Sequence, residues 1–150
     1  MATVASARAP AHLWIVGLLA TAWNAIGAYD YLMTRTRNME YLSSMPGVDA
    51  QEMLAYIEAY PIWAQIGWGL GIWGGVAGSI LLLMRSRFAV HAFALSLFGM
   101  ALSFGYMFFG PPGPAGTDAG MLAYFPYFVM LIGVLLLLYS TSMLRKGVLR

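Results

Sequence analysis

The chain has 150 residues, of which 61% are hydrophobic and 9% charged, where a soluble globular protein carries roughly 25% charged residues. A chain this apolar cannot cover its own surface with polar groups, so a single domain with lipid as its solvent is predicted. The formal charge of +2 is spread in twos and threes beside apolar stretches, which excludes a nucleic-acid binder, and the absence of cysteine excludes disulfides, thiolate metal sites and thiol redox chemistry.

The first apolar stretch covers residues 10–33. Pro10 suits a helix start, where its missing N–H would be unpaired anyway. Arg8, the run at 13–20 and the small residues near Ala22 also fit a cleaved signal peptide. The apolar stretch continues past any such site, however, and an uncleaved helix of this length spans about 30 Å. Residues 34–60 form the longest polar segment. There Pro46-Gly47 marks a turn, and Asp49 followed by Glu52 reads as the cap of a short helix with Met53, Tyr56, Ile57 and Tyr60 on one face. A helix of about a dozen residues with such a stripe lies on a membrane rather than crossing it.

The second span, 61–84, opens on Pro61 and meets Arg85-Ser86-Arg87, a junction so short that the third span, 88–109, must run back beside it. Gly110-Pro111-Pro112-Gly113-Pro114 cannot remain helical. The fourth span covers 121–143 and is followed by Arg145, Lys146 and Arg150.

Charge is sorted by junction. All 6 carboxylates (Asp30, Glu40, Asp49, Glu52, Glu58, Asp118) fall at alternate junctions, and of the 8 basic residues Arg8, Arg85, Arg87, Arg145, Lys146 and Arg150 fall at the others. Membrane proteins retain Lys and Arg on the cytoplasmic side, so both termini are predicted to be cytoplasmic and segment 34–60 periplasmic. Arg35 and Arg37 are the exceptions, and four carboxylates share their loop. Tyr29, Tyr31, Tyr60, Trp63, Tyr124 and Tyr127 cluster at the outer ends of spans, and Trp14 and Tyr139 mark the inner side, as interfacial aromatic belts do. The predicted fold is all-α: four transmembrane helices in an antiparallel bundle with N-in/C-in topology.

Within that frame, Gly67, Gly71, Gly75 and Ser79 recur every fourth residue, with Gly74 and Gly78 on an adjoining strip. Small residues at this spacing let another backbone approach closely, either within the chain or in a homodimer or membrane-protein partner. Trp63, Trp68 and Trp73 fan around the same helix and fill gaps beside the glycines.

Asn24 sits roughly 12 Å below the outer end of its span, too deep to reach water on a lipid face, so it must meet protein or a wet cavity. Gln65, Ser103, Tyr106 and Tyr127 are expected in the same outer half, with Trp23 and Trp68 as walls. Converging, these groups would make an uncharged hydrogen-bonding pocket for a neutral polar ligand; otherwise Asn24 and Gln65 bond across helices.

Asp30, about one turn from the outer edge, is the ion or proton candidate, with Arg35 or Arg37 as its expected partner. No other carboxylate lies inside a span, so proton-coupled export through a buried acid lacks its residue. His12 and His91 lie near the inner ends of odd-numbered spans, where histidine is ordinary, although a pair at similar depth could clamp a haem. The 11 methionines are scattered packing material, with no run suggesting copper. No nucleophile, acid–base pair or metal set is in reach of another, so neither catalysis nor a resident cofactor or metal is expected.

Two pairs of segments resemble each other: Gly27-Ala28-Tyr29 with Gly105-Tyr106-Met107, and Tyr60-Pro61-Ile62-Trp63 with Phe125-Pro126-Tyr127-Phe128. They would fit a parallel duplication of two helical hairpins. The combination of Trp23-Asn24-Ala25-Ile26-Gly27, Pro61-Ile62-Trp63, the run from Gly74-Gly75-Val76-Ala77-Gly78-Ser79 into Ile80-Leu81-Leu82-Leu83, and Leu95-Ser96-Leu97 resembles a bacterial family of small four-helix membrane proteins. Its members often carry the label "sugar transporter". The resemblance implies a bacterial inner-membrane location and a four-helix bundle, and it names no binding residues. Two functions are expected from the residues: a small transporter or binder of a neutral compound using Asn24, Gln65, Trp68 and Tyr106 as a glycine-packed dimer, or an accessory subunit holding another membrane protein through the glycine face.

Overall fold

The computed structural model describes residues 8–118 and 120–150, and all regular structure among them is helical. In chain order the elements are α1 (Ala11–Arg35), α2 (Met39–Ser43), α3 (Ala50–Glu58), α4 (Ile62–Leu83), α5 (Phe88–Phe109), a 3₁₀ turn at Gly120–Tyr124, and α6 (Phe125–Arg145). Four of these segments, α1, α4, α5 and α6 with its leading turn, are long and apolar enough to cross a membrane.

Proline sets three of the starts. Pro10 and Pro61 are the N-caps of α1 and α4, and Pro126 lies in the first turn of α6. With no N–H to donate to the carbonyl of Leu122, Pro126 keeps the preceding residues out of the α-helical pattern. They wind as the tighter 3₁₀ turn instead, which moves the start of α6 from the predicted residue 121 to Phe125.

Three of the four spans end in the same device, a left-handed residue followed by a bond reaching back to the last turn. The left-handed residues are Arg37 (φ 56°), Arg85 (φ 58°) and Gly147 (φ 69°). The bonds are Asn38 N–H to Met33 O (2.9 Å), Ser86 N–H to Leu81 O (2.8 Å) and Val148 N–H to Met143 O (3.0 Å). Glycine adopts this conformation freely, whereas each arginine bears roughly 1–2 kcal/mol of steric strain there. After Arg37 the chain doubles back: Asn38 caps α2 by accepting from Tyr41 N–H, and Asp49 caps α3 by accepting from Gln51 N–H and Glu52 N–H. The helix expected after Pro46-Gly47 is therefore α3, and α2 is an additional turn of helix before it.

Consecutive spans run antiparallel. α4 packs most extensively against α5 and next against α1, while α5 also packs against α6. A third of the apolar window of α4 is buried (33%) but only 6% of that of the fourth span, which marks α4 as the central helix and α6 as the outlying one. α1 and α6 meet through long side chains: His12 Nδ1 and the Tyr139 hydroxyl share a hydrogen bond of 2.6 Å, and the Trp23 ring stands edge-on to Phe128.

This arrangement gathers Arg8, Arg85, Arg87, Arg145, Lys146 and Arg150 at one end of the bundle, here the basic end. The six carboxylates gather at the other, the acidic end, together with Arg35 and Arg37. The best-buried apolar cluster lies at the basic end, where Leu13, Leu82, Ala89, Phe93 and Met143 surround Val148 and Leu149 of the tail. The tail is fixed there by backbone bonds, from Arg150 N–H to Arg85 O (2.8 Å) and from Arg87 N–H to Arg150 O (3.0 Å), and by Arg85 Nε donating to Val148 O (3.1 Å).

Candidate functional site

The glycine ladder of α4 is filled from within the chain. A Cβ at Gly67 would lie 2.8 Å from the Gly99 carbonyl oxygen, one at Gly71 would lie 2.9 Å from Met100 Cγ, one at Gly74 would lie 3.0 Å from Ser96 and one at Gly78 would lie 2.7 Å from the Phe93 ring. All of these neighbours belong to α5, and Ser96 Oγ donates to Gly71 O at 2.5 Å across the same contact. A homodimer or partner using this face would first have to displace α5.

Gly75 faces α1 instead, and its missing side chain is the space taken by the Asn24 amide. Asn24 Nδ2 donates to Ala20 O (2.8 Å) and to Ser79 Oγ (3.0 Å), and Ser79 Oγ donates in turn to Gly75 O (2.6 Å). Asn24 thus ties α1 to α4 near Ser79, four residues before the end of α4 at Leu83 and towards the basic end.

Gln65 lies at the opposite end of α4, where its Oε1 accepts from Arg35 Nη1 (3.0 Å) and its Nε2 donates to Tyr60 O (2.8 Å). Between Asn24 and Arg35 there are roughly 16 Å along α1. The structure does not bring Asn24 and Gln65 into one group.

The aromatic candidates are spread around the bundle. Trp23 stands against Phe128 (5.6 Å between centroids), Trp68 against Tyr31 (4.7 Å), and Tyr127 stacks on Phe108 (5.2 Å). Tyr106 lies between Tyr60 (4.7 Å) and Trp63 (5.8 Å), and Tyr60 is a neighbour it shares with Gln65. Trp73 also borders Tyr31, while Ser103 is buried against Gly67. His12 is held by Tyr139, and His91 lies beside the Phe88 ring.

Asp30 takes a partner that the sequence did not suggest. The Tyr41 hydroxyl of α2 donates to Asp30 Oδ1 at 2.7 Å. Burial, with this hydrogen bond adding to it, pushes the Tyr41 hydroxyl above its ordinary titration range, so it remains a donor throughout the physiological range. The two arginines expected to pair with Asp30 go elsewhere: Arg35 to Gln65, and Arg37 Nε to Glu58 Oε1 at 2.7 Å.

These last two contacts frame a cavity of about 400 Å³ at the acidic end. Its walls come from the end of α1 (Thr34, Arg35), the left-handed turn (Arg37), α3 (Leu54, Ile57, Glu58) and the start of α4 (Gln65). It exists because Arg37 reverses the chain and α3 comes back across the start of α4, where the Arg37–Glu58 pair anchors it. Both members of that pair are exposed, so the pair itself adds at most about 1 kcal/mol and mainly sets geometry. Guanidinium, amide and hydroxyl donors face one carboxylate and two aliphatic side chains, a lining suited to hydrogen-bonding a polar solute. Of the residues singled out from the sequence as ligand candidates, Gln65 is the one on this wall. No family model, curated protein or solved structure matches the chain.

Proposed function

We propose that the chain is an integral membrane protein of the bacterial inner membrane, its basic end in the cytoplasm, which binds a small polar solute at its acidic end. The observation that carries the reading is the cavity between α1, α3 and α4. Its volume of about 400 Å³ lies within the roughly 300–1,000 Å³ of small-molecule sites. Its donors include Arg35 and Gln65, which already bond each other and can exchange that bond for one to a ligand. A path through the bundle has less support, because α4 and α5 meet at backbone contact and the inner polar groups Asn24, Ser79 and Ser96 satisfy one another or the adjacent backbone.

Thermal unfolding of the detergent-solubilised protein with a panel of sugars and polyols tests the site. At least one compound is expected to raise the midpoint, and Arg35→Ala or Gln65→Leu should abolish that rise. Asn24→Leu should keep the rise while lowering basal stability by about 1–2 kcal/mol, the measure of one interhelical hydrogen bond. Loss of the response in Asn24→Leu with retention in Arg35→Ala would place the ligand inside the bundle and defeat the reading.

The orientation has its own test, helped by the lack of native cysteine. On intact cells a membrane-impermeant thiol reagent should modify Asp118→Cys and spare Ser86→Cys. The reverse pattern would turn the protein over.

A further inference from the structure

The described threonines follow one habit with one exception. Thr21, Thr36, Thr117 and Thr141 each donate the side-chain hydroxyl to a carbonyl three or four residues back, the local bond that threonine readily makes. Thr34 is only 4% exposed and lines the cavity at the acidic end, yet its hydroxyl has no hydrogen-bond partner among the described residues. No fully buried side-chain polar atom among those residues lacks a partner, so the little surface that Thr34 retains includes its hydroxyl oxygen. A hydroxyl in so closed a place is costly to leave unpaired, and an oxygen entering the cavity would pair it.

The same wall carries an unbalanced charge. Its ionised residues are Arg35, Arg37 and Glu58, two cations to one anion. Arg37 Nε is paired with Glu58 Oε1 at 2.7 Å, the one ion pair among the described residues. The Arg35 guanidinium, which cannot lose its proton, is left with a neutral partner, donating to Gln65 Oε1 at 3.0 Å. One added negative charge would neutralise the wall. A carboxylate matches the planar fork of a guanidinium through two parallel hydrogen bonds. A phosphate monoester brings about 1.5–2 negative charges near neutral pH, more than the wall can balance, and Glu58 repels the excess. Beside the guanidinium, the Thr34 hydroxyl and the amide of Gln65 suit the hydroxyl groups of a solute, while Leu54 and Ile57 suit the C–H faces of a short carbon chain.

We propose that the cavity selects a small hydroxylated monocarboxylate, its carboxylate on Arg35 and a hydroxyl on Thr34. This rests on the reading of the cavity as a solute site and narrows the solute from polar to singly anionic.

Gluconate and sorbitol are matched probes, since they share a carbon chain and differ in a terminal carboxylate against a terminal CH₂OH. Titration calorimetry is run on the protein in nanodiscs of zwitterionic phospholipid, which brings no anionic headgroup to compete, with sodium chloride holding ionic strength equal. Gluconate is expected to bind at least about tenfold tighter than sorbitol, the effect of a charge-assisted hydrogen bond in place of a neutral one. Arg35→Gln, at an exposed position, keeps a donor and removes the charge, and should bring gluconate to the level of sorbitol. Thr34→Val, equal in shape, should weaken both probes by about fivefold. Its ligand-free unfolding midpoint should be unchanged or higher, because no hydrogen bond within the protein is lost. Equal binding of the two probes, or a preference that survives Arg35→Gln, overturns the monocarboxylate assignment and leaves the solute site standing. Unaltered affinities in Thr34→Val also overturn the assignment. Binding of neither probe by the wild-type chain overturns both the assignment and the site.

Discussion

Gly99→Ala is expected to be among the most damaging single-methyl changes this chain can suffer. A Cβ at residue 99 would stand 2.5 Å from Gly67 O, 2.6 Å from Gly71 N and 2.8 Å from Leu70 Cβ. Two of those atoms are backbone, so no rotamer change relieves the clash, and α4 must move away from α5. The expected loss is at the upper end of the roughly 1–3 kcal/mol that overpacking costs, or beyond it. Gly71→Ala should be milder, because its nearest obstacle is Cγ of the flexible Met100 side chain at 2.9 Å. Gly105→Ala, the same chemical change on the same helix in open space, should be neutral or stabilising by up to about 1 kcal/mol. Unfolding followed by tryptophan fluorescence in detergent ranks the three. Equal effects at residues 99 and 105 would mean that α4 and α5 do not pack through this face.

Leu149→Ala should have the second large effect, at a position where a sequence reader would expect none. Leu149 is 3% exposed within a tail that carries Arg145, Lys146 and Arg150, and it completes the apolar cluster of Leu13, Leu82, Phe93 and Met143. Truncating a buried leucine costs about 2–5 kcal/mol, through lost transfer energy and the cavity left behind. Lys146→Ala, at an exposed neighbour, should change stability by no more than about 0.5 kcal/mol. Trypsin supplies a second readout, since loosening the tail exposes the bonds after Arg145 and Lys146. Faster cleavage in Leu149→Ala is expected, and unaltered cleavage with unaltered stability would remove the tail from the core.

The spans were legible because lipid demands long apolar runs, and their limits fall where proline, glycine and charge interrupt those runs. The third span agrees with α5 at both ends, Phe88 and Phe109, since Arg87 and Gly110-Pro111 bound it sharply. Relative height between helices was not legible. The position of Asn24 in its own helix says how far it lies from an end, but the offset of α1 against α4 decides that it meets Ser79 rather than Gln65. The glycine ladder announced close approach without saying whose backbone approaches.

The acidic-end cavity was hidden for a different reason. The turn that creates it uses a left-handed arginine at residue 37, where the usual signal would be glycine. At the other end a signal existed and charge obscured it. Gly147 followed by Val148-Leu149 is the pattern of a helix stop with an apolar contact back to the last turn, but Arg145, Lys146 and Arg150 around it served only to orient the chain.

Because contacts run in chain order, α1 to α4 to α5 to α6, the molecule resembles a zipper closed tooth by tooth as the ribosome delivers it. Its last tooth is the weakest. Along its length α6 packs chiefly on α5 and touches the first helix through His12–Tyr139 and Trp23–Phe128, so a pulling force or a harsh surfactant should part it from the acidic end first, with Met143 and the tail at Val148 and Leu149 holding the basic end longest.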